Sequence, residues 1–341
     1  MEKYKSNYFI YTLILVSFFI SACTPQKQHF PKDLEPQQVN ILRFDQDFLS
    51  MKQDSNIQHC LDSMYTKYGD FTVFFFENIL GISHNDTSYI AKAVPMFLND
   101  TTYGFKETNA KTEILFNNID TIQQQLNQAF ARINYLFPQL QIPNLYFIVS
   151  GFNASILFYE NDIVVGLDMY LGSDYELYNR VVHEYQKYTM RKECIVCDVV
   201  SAYLFKNIPF ISNKNRLLEN MIFRGKIMYL ISLILDNEPA HEIMGYSPQQ
   251  WDWCLRNERY IWNAMMDKRD LFKSEHMLLV SYLNDGPFTS EISQDAPSRL
   301  GTWIGWRIAE SYVTQNDSIT LLDLIYESDA QKILENSYYK P

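Results

Sequence analysis

Apolar residues recur at three- and four-residue steps through most of this chain, and the period changes over one central stretch. Ile57, Leu61, Met64, Tyr65 and Tyr68 have helical spacing, and residues 71–80 form a dense aromatic run that Gly81 ends. Leu115, Ile119, Ile122, Leu126, Phe130, Ile133 and Phe137 mark the clearest amphipathic helix, predicted over 111–137 and stopped by Pro138. Residues 39–48 read as an extended lead-in followed by a helix start. Strands are predicted over 145–149, 154–159 and 163–167, with Glu160-Asn161-Asp162 turning the last two into a hairpin.

After Gly172 the pattern returns to helices. Residues 217–235 are apolar nearly all round in their second half, which predicts a central buried helix. Arg224 and Lys226 interrupt it, so the unbroken apolar run is too short to span a membrane. Ser247-Pro248-Gln249-Gln250 is a helix start: Ser247 caps, Pro248 fits the first turn and Gln250 reaches back to the cap amide. Trp251, Cys254, Leu255, Ile261, Trp262 and Met265 then fall on about one face, and a further helix is predicted over 297–313. The expected fold class is α+β: a helix-rich single domain with a small, mostly antiparallel sheet.

The first residues carry a different signal. Lys3 and Lys5 precede an apolar run from Tyr8 to Ile20, and Ile20-Ser21-Ala22-Cys23 reads as a bacterial lipobox. The expected organisation is a lipoprotein signal peptide over 1–22, a polar tether over 23–38 that begins with the acylated Cys23, a globular domain over 39–330 and a C-terminal tail over 331–341. Acyl chains on Cys23, palmitate among them, anchor the exported protein to an envelope membrane.

Charge agrees with that placement. With 29 Lys and Arg against 40 Asp and Glu, the net charge is −11. An acidic chain without a basic block argues against nucleic acid as a partner and against electrostatic docking on anionic lipid, so the acyl anchor must do the holding. The 24 Tyr, 23 Phe and 5 Trp supply ample apolar area for a core. Beyond the lipid site, Cys60, Cys194, Cys197 and Cys254 are too few for a disulfide scaffold.

Candidate chemistry is sparse. His183-Glu184 begins like a zinc-peptidase motif, but Lys187 stands where the second imidazole belongs, and one His and one Glu do not hold catalytic zinc. Cys194-Ile195-Val196-Cys197 is a lone C-x₂-C, open to a redox pair, half a zinc site with His183, or buried thiols. Asp162, Asp168, Asp174 and Glu176 cluster near the hairpin, open to a calcium site or an acid/base pair, but their spacing matches no EF-hand loop and Asp is a normal turn former. His59, His84, His241 and His276 lack ligand spacing, and neither a phosphate-binding Gly-rich loop nor a G-x-S-x-G elbow is present. Gly301 and Gly305 lie one turn apart on a predicted helix, where each costs about 1 kcal/mol against alanine. Close approach of another helix, flanked by Trp303 and Trp306, is the expected compensation.

Five stretches carry a resemblance: 41–48 (Ile-Leu-Arg-Phe-Asp-Gln-Asp-Phe), 76–81 (Phe-Glu-Asn-Ile-Leu-Gly), 149–153 (Val-Ser-Gly-Phe-Asn), 165–172 (Val-Gly-Leu-Asp-Met-Tyr-Leu-Gly) and 300–306 (Leu-Gly-Thr-Trp-Ile-Gly-Trp). In this order and spacing they resemble the gliding-motility lipoprotein GldB family, over about residues 39–313. The resemblance implies a role in bacterial gliding and in the type IX secretion machinery that delivers gliding adhesins, with no established enzymatic activity. It also implies a distant, metal-less likeness to zincin-type peptidases, in which strand 163–168 precedes the metal helix and Glu219 falls near the third-ligand region. Ile195-Val196-Cys197-Asp198 departs from the family's Ile-Val-Pro-Asp, and Arg191 and Glu193 lie in a segment usually richer in arginine.

The expectation is therefore a non-enzymatic, lipid-anchored envelope component of structural or assembly role. It would have no cofactor, and gliding or secretion proteins as partners. Cys23 is its lipidation site, and Asp168, Gly301, Trp303, Gly305 and Trp306 are packing or binding positions. The alternatives are a zincin-type metallohydrolase using His183 and Glu184, with Glu219, Cys194 and Cys197 as further candidate ligands, or a glycan- or peptide-binding lipoprotein.

Overall fold

The computed structural model describes residues 30–341 other than 32 and 53–55, so the expected signal peptide and Cys23 lie outside the described residues. A four-stranded sheet stands between two groups of helices. Its strands are β1 (Ile41–Leu42), β2 (Leu145–Ile148), β3 (Ile156–Tyr159) and β4 (Asp162–Gly166), in the order β1-β2-β4-β3. The β3–β4 hairpin is as expected, with Glu160 at φ 52° in its turn. The mostly antiparallel sheet is not: β1 runs parallel to β2 and β2 parallel to β4, with Leu145 opposite Ile163 and Ile148 opposite Gly166. The sheet is mixed because β2 and β4 are covered on both faces, the setting in which parallel strands occur.

Side chains that alternate along β2 and β4 enter two separate cores. Leu145, Phe147, Ile163 and Val165 join the larger one, built by the helices after residue 105. Tyr146, Ile148 and Val164 join a smaller, aromatic one beneath the N-terminal helices. There Phe44 packs against Phe71 and Phe75 at 5.1 and 4.6 Å, and Phe71 stacks on Tyr146 at 3.7 Å. The aromatic run of residues 71–80 passes from an α-helix (Asp70–Phe74) into a π-helical turn (Phe75–Ile79). The wider turn lets consecutive Phe75 and Phe76 both point inward, and both are fully buried.

The single helix expected over 111–137 is two, Phe105–Leu115 and Asp120–Leu136. Between them Phe116 drops into the core. The Asn118 side chain accepts from the Asp120 N–H at 2.8 Å, a local bond that competes with helix continuation. The helix over Ile57–Tyr68 and the Ser247–Gln250 capping box are as expected, whereas Leu255 is exposed and does not share the buried face of Cys254, Ile261 and Met265. The zincin-like frame has no support, because the segment that would supply its metal helix, Glu184–Thr189, is a short 3₁₀ helix.

The larger core is organised by two helices, Leu217–Ile234 and Leu300–Gln315. They cross backbone against backbone: a Cβ built on Gly225 would lie 1.9 Å from the Gly305 carbonyl carbon, and one on Gly305 would lie 1.9 Å from the Met221 carbonyl oxygen. Gly301 abuts Tyr282 and Leu283 of the His276–Leu283 helix. Trp303 and Trp306 are buried at the flanks, where Trp251 meets them at 6.2 and 5.8 Å. The two cations that interrupt the Leu217–Ile234 helix serve carbonyl groups. Arg224 donates to Leu283 O at 2.8 Å, and Lys226 donates to Ile325 O and Glu327 O at 3.0 and 2.7 Å, satisfying the end of the Leu321–Tyr326 helix. The final helix, Ala330–Ser337, packs on the same core, with Ile333 buried.

In an ordinary helix Gly305→Ala would add about 1 kcal/mol of stability. Here the methyl group meets backbone that cannot retreat without separating the helices, so the variant is expected to lose about 3 kcal/mol in chemical denaturation. Gly286→Ala, whose Cβ would have its nearest neighbour at 3.9 Å, should change stability by less than about 0.5 kcal/mol.

Candidate functional site

Aspartates at the two ends of β4 tie down the two ends of β2. Asp162 accepts the Asn144 N–H at 2.8 Å and its side-chain amide at 3.0 Å. At the other end, Asp168 Oδ1 accepts the Ser150 N–H at 2.8 Å and the Ser150 hydroxyl at 3.1 Å, while Oδ2 accepts the Phe152 N–H at 2.6 Å. Gly151 and Phe152 are both left-handed (φ 69° and 62°), which curls the loop around the carboxylate as a nest of N–H donors. Gly166 is required where this loop returns, because its Cβ would lie 2.1 Å from Ala154 O. Burial pushes the Asp168 carboxyl up, and the N–H groups of Ser150 and Phe152 pull it back. Tyr178 completes the clamp by donating to Asp168 O at 2.8 Å and accepting the Leu171 N–H at 2.9 Å.

Beyond the clamp the chain opens onto a cavity of about 370 Å³. Tyr170 lines it and donates to Asp198 Oδ2 at 2.8 Å. Asp198 stands in the first turn of the Ile195–Asn207 helix. From another wall comes Arg299, which bonds Met244 O and approaches Asp285 at 2.9 Å through Nε. Arg299 is itself left-handed (φ 59°), a conformation that costs a non-glycine residue about 1 kcal/mol and is held by those contacts. Glu242 lines the cavity as well, paired with Arg191 at 2.6 Å and accepting Tyr188 Oη at 2.9 Å. Burial raises the Asp198 carboxyl to about 6. The Tyr170 hydroxyl and Arg299 oppose that rise, and Asp285 adds to it.

The residues singled out from sequence disperse. Cys23 lies outside the described residues. The His183 ring is exposed and stacks on Tyr185 at 5.5 Å, and its backbone N–H donates to Gln186 Oε1 at 3.0 Å. Glu184 is bonded by the Lys187 ammonium, which also bonds Asn179. Glu219 accepts the Arg216 N–H at 2.6 Å as a helix cap, and it borders a separate cavity of about 40 Å³ with Phe223 and Lys226. His84 pairs with Glu77, and His241 lies 3.5 Å from Glu242. Among the described residues no group of three or more His, Cys, Asp and Glu is arranged to hold a metal ion. Asp162 and Asp168, read as possible calcium ligands, are spent on the strand ends. Gly301, Trp303, Gly305 and Trp306 are spent on the helix crossing.

Cys194 and Cys197 do face the cavity, at the start of a helix, and neither is in a disulfide. A helix N-terminus ordinarily lowers a thiol's pKa. Here burial wins, with Asp198 adding to it: Cys194 is pushed up to about 12 and Cys197 is raised as well. Both are thiols at neutral pH, not nucleophilic thiolates. The polar set of the cavity, Tyr170, Asp198, Glu242, Asp285 and Arg299, escaped the sequence reading because its members come from five separate segments with no shared spacing. The nearest signal was their adjacency to recognisable blocks: Tyr170 within 165–172, Asp198 beside Cys197, and Arg299 directly before Leu300.

A family model described as gliding motility protein GldB matches residues 26–341. No curated protein matches, and no solved structure matches. Among the described residues no helix is long and apolar enough to cross a membrane.

Asp168→Asn should cost about 2–3 kcal/mol in equilibrium unfolding, because the new NH₂ must face either the Ser150 or the Phe152 N–H. Asp198 sets a pH dependence. Its folded pKa of about 6 exceeds the ordinary aspartate value of 3.8, so the folded state holds the proton more tightly than the unfolded chain does. The stability that protonation confers is complete below about pH 4 and is lost as pH rises through about 6. Asp198→Asn lacks this dependence. Relative to the parent, it should gain up to about 3 kcal/mol between pH 4 and pH 7, read as the difference between two denaturation series.

Proposed function

The chain belongs to the gliding motility protein GldB family, and on that premise we propose that it is a lipid-anchored envelope component of the gliding and type IX secretion machinery. Its role is structural or assembly-related, not catalytic. The family match over residues 26–341 supports the cellular setting, and the Ile20-Ser21-Ala22-Cys23 lipobox supports the anchor.

One observation carries the non-catalytic part. The peptidase-like dyad is already committed within its own turn, with Lys187 bonded to Glu184 and the His183 ring stacked on Tyr185. An ammonium at that position neutralises the carboxylate that would serve as general base, and it repels a dication. The exported body then acts through its surfaces. Exposed apolar residues such as Met96, Tyr103, Ile114 and Ile211 offer contact area for neighbouring proteins.

Affinity capture of the native, detergent-solubilised protein is expected to recover motility or secretion components, whereas recovery of the protein alone would count against the assembly role. Intact-mass analysis of the mature chain should find acylation at Cys23, and Cys23→Ala should move the protein out of the membrane fraction. His183→Ala is expected to leave both the captured partners and the stability unchanged, within about 0.5 kcal/mol; loss of either would reopen a role for that dyad.

A further inference from the structure

The cavity beside the Asp168 clamp is built unlike packing space. Its volume of about 370 Å³ falls in the range of small-ligand sites. Its charges do not balance. Glu242 has Arg191 at 2.6 Å and Asp285 has Arg299 at 2.9 Å. The remaining carboxylate, Asp198, is bonded by a neutral phenol, Tyr170, and shares the field of Arg299 with Asp285. Among the described residues, the hydrogen bond that Asp198 receives is this one from Tyr170, to Oδ2, which leaves Oδ1 to the cavity. The same cavity is lined by the Ser155 and Ser201 hydroxyls and by an apolar wall of Ile156, Met169, Phe205 and Met228.

We propose that this cavity binds a primary alkylammonium group, with the –NH₃⁺ on Asp198 and its aliphatic stem along the Ile156, Met169, Phe205 and Met228 wall. An ammonium supplies the missing positive charge and three donors, which matches a lone carboxylate oxygen set among hydroxyls. A methylene stem matches the thioether and aromatic wall, which a hydrated metal ion would not use. The chemistry is that of a lysine side chain or a free diamine. The site is independent of the envelope role, because it rests only on the cavity.

The charged and titratable groups that line the cavity with Asp198 are Tyr170 from the segment after β4, Cys194 and Cys197 from its own helix turn, Tyr185, Glu242 and Tyr246, and Asp285 and Arg299. Arg191 and His241 adjoin Glu242. Of these, Asp198 is the group raised into the range near pH 6, so proton and ammonium compete for it. Below about pH 6 the proton holds the carboxylate and binding weakens.

The test is calorimetric titration of the detergent-solubilised full chain with cadaverine, with Nα-acetyl-lysine methylamide and with uncharged 1,5-pentanediol. Both amines are expected to bind at pH 7.5 and the diol is not. Affinity should fall about tenfold between pH 7.5 and pH 5. Near pH 6 the heats should depend on buffer ionisation enthalpy, reporting release of a proton, a readout that needs no variant. Tighter binding of the lysine derivative assigns the site to a polypeptide, and tighter binding of cadaverine assigns it to a free diamine. Asp198→Asn, checked for native circular dichroism, should abolish both. Equal binding of the diol, no binding of either amine at pH 7.5, or amine affinity unchanged by Asp198→Asn would overturn the proposal.

Discussion

Two helices in this protein touch through their peptide backbones, and most of the larger core is arranged around that contact. Gly225 and Gly305 each occupy the space where the other helix would need a side chain, with hypothetical Cβ distances of 1.9 Å. Glycine in a helix interior is unfavourable by about 1 kcal/mol apiece, so such positions persist only where the interface returns more through dispersion and burial. The return is visible nearby. Trp303 and Trp306 fill the flanks beside Trp251, and Gly301 admits the His276–Leu283 helix at the next turn. Because the Leu300–Gln315 helix is held this closely, its first flanking residue, Arg299, is fixed in place as well.

Arg299 therefore connects packing to the cavity, and Asp168 does the same from the sheet side. The Asp168 carboxylate fixes the loop after β2. Two residues later Tyr170 presents its hydroxyl to Asp198. Two structural commitments, one in a helix crossing and one in a strand clamp, thus place the groups around Asp198 on rigid supports. Rigid placement is what makes an unbalanced carboxylate persist, since a mobile one would turn toward solvent or toward a nearby cation.

The same residue types have opposite fates in different parts of the molecule, decided by burial and neighbours. Asp162 and Asp168 are saturated by backbone donors and hold strands, while Asp198 is left short of cations. Glu184 is quenched by Lys187 in an exposed turn, while Glu242 pairs with Arg191 at the cavity wall. Cys194 opens a helix yet stays protonated, because desolvation outweighs the helix terminus. The family match places the chain among gliding motility proteins, and the charge pattern of the cavity is a separate property of the folded body.

Much of the local architecture was legible in the residues alone. Helical spacing located Ile57–Tyr68 and Leu217–Ile234, the Ser247–Gln250 cap marked its helix start, and Glu160–Asp162 announced the hairpin. Paired glycines beside tryptophans announced a close helix crossing, because a helix keeps such glycines only for a neighbour. The parallel pairing of β2 with β4 was not legible. Strand direction depends on which strands become neighbours, and short apolar runs read the same in either direction. The break at Phe116–Ile119 was hidden because the apolar period continues across it, while the Asn118 side-chain bond at the start of the second helix exists only in the folded geometry. The cavity was least legible of all. Periodicity records what each residue does for its own element, whereas Tyr170, Asp198, Glu242, Asp285 and Arg299 acquire a joint chemistry only when packing brings five distant segments within reach of one another.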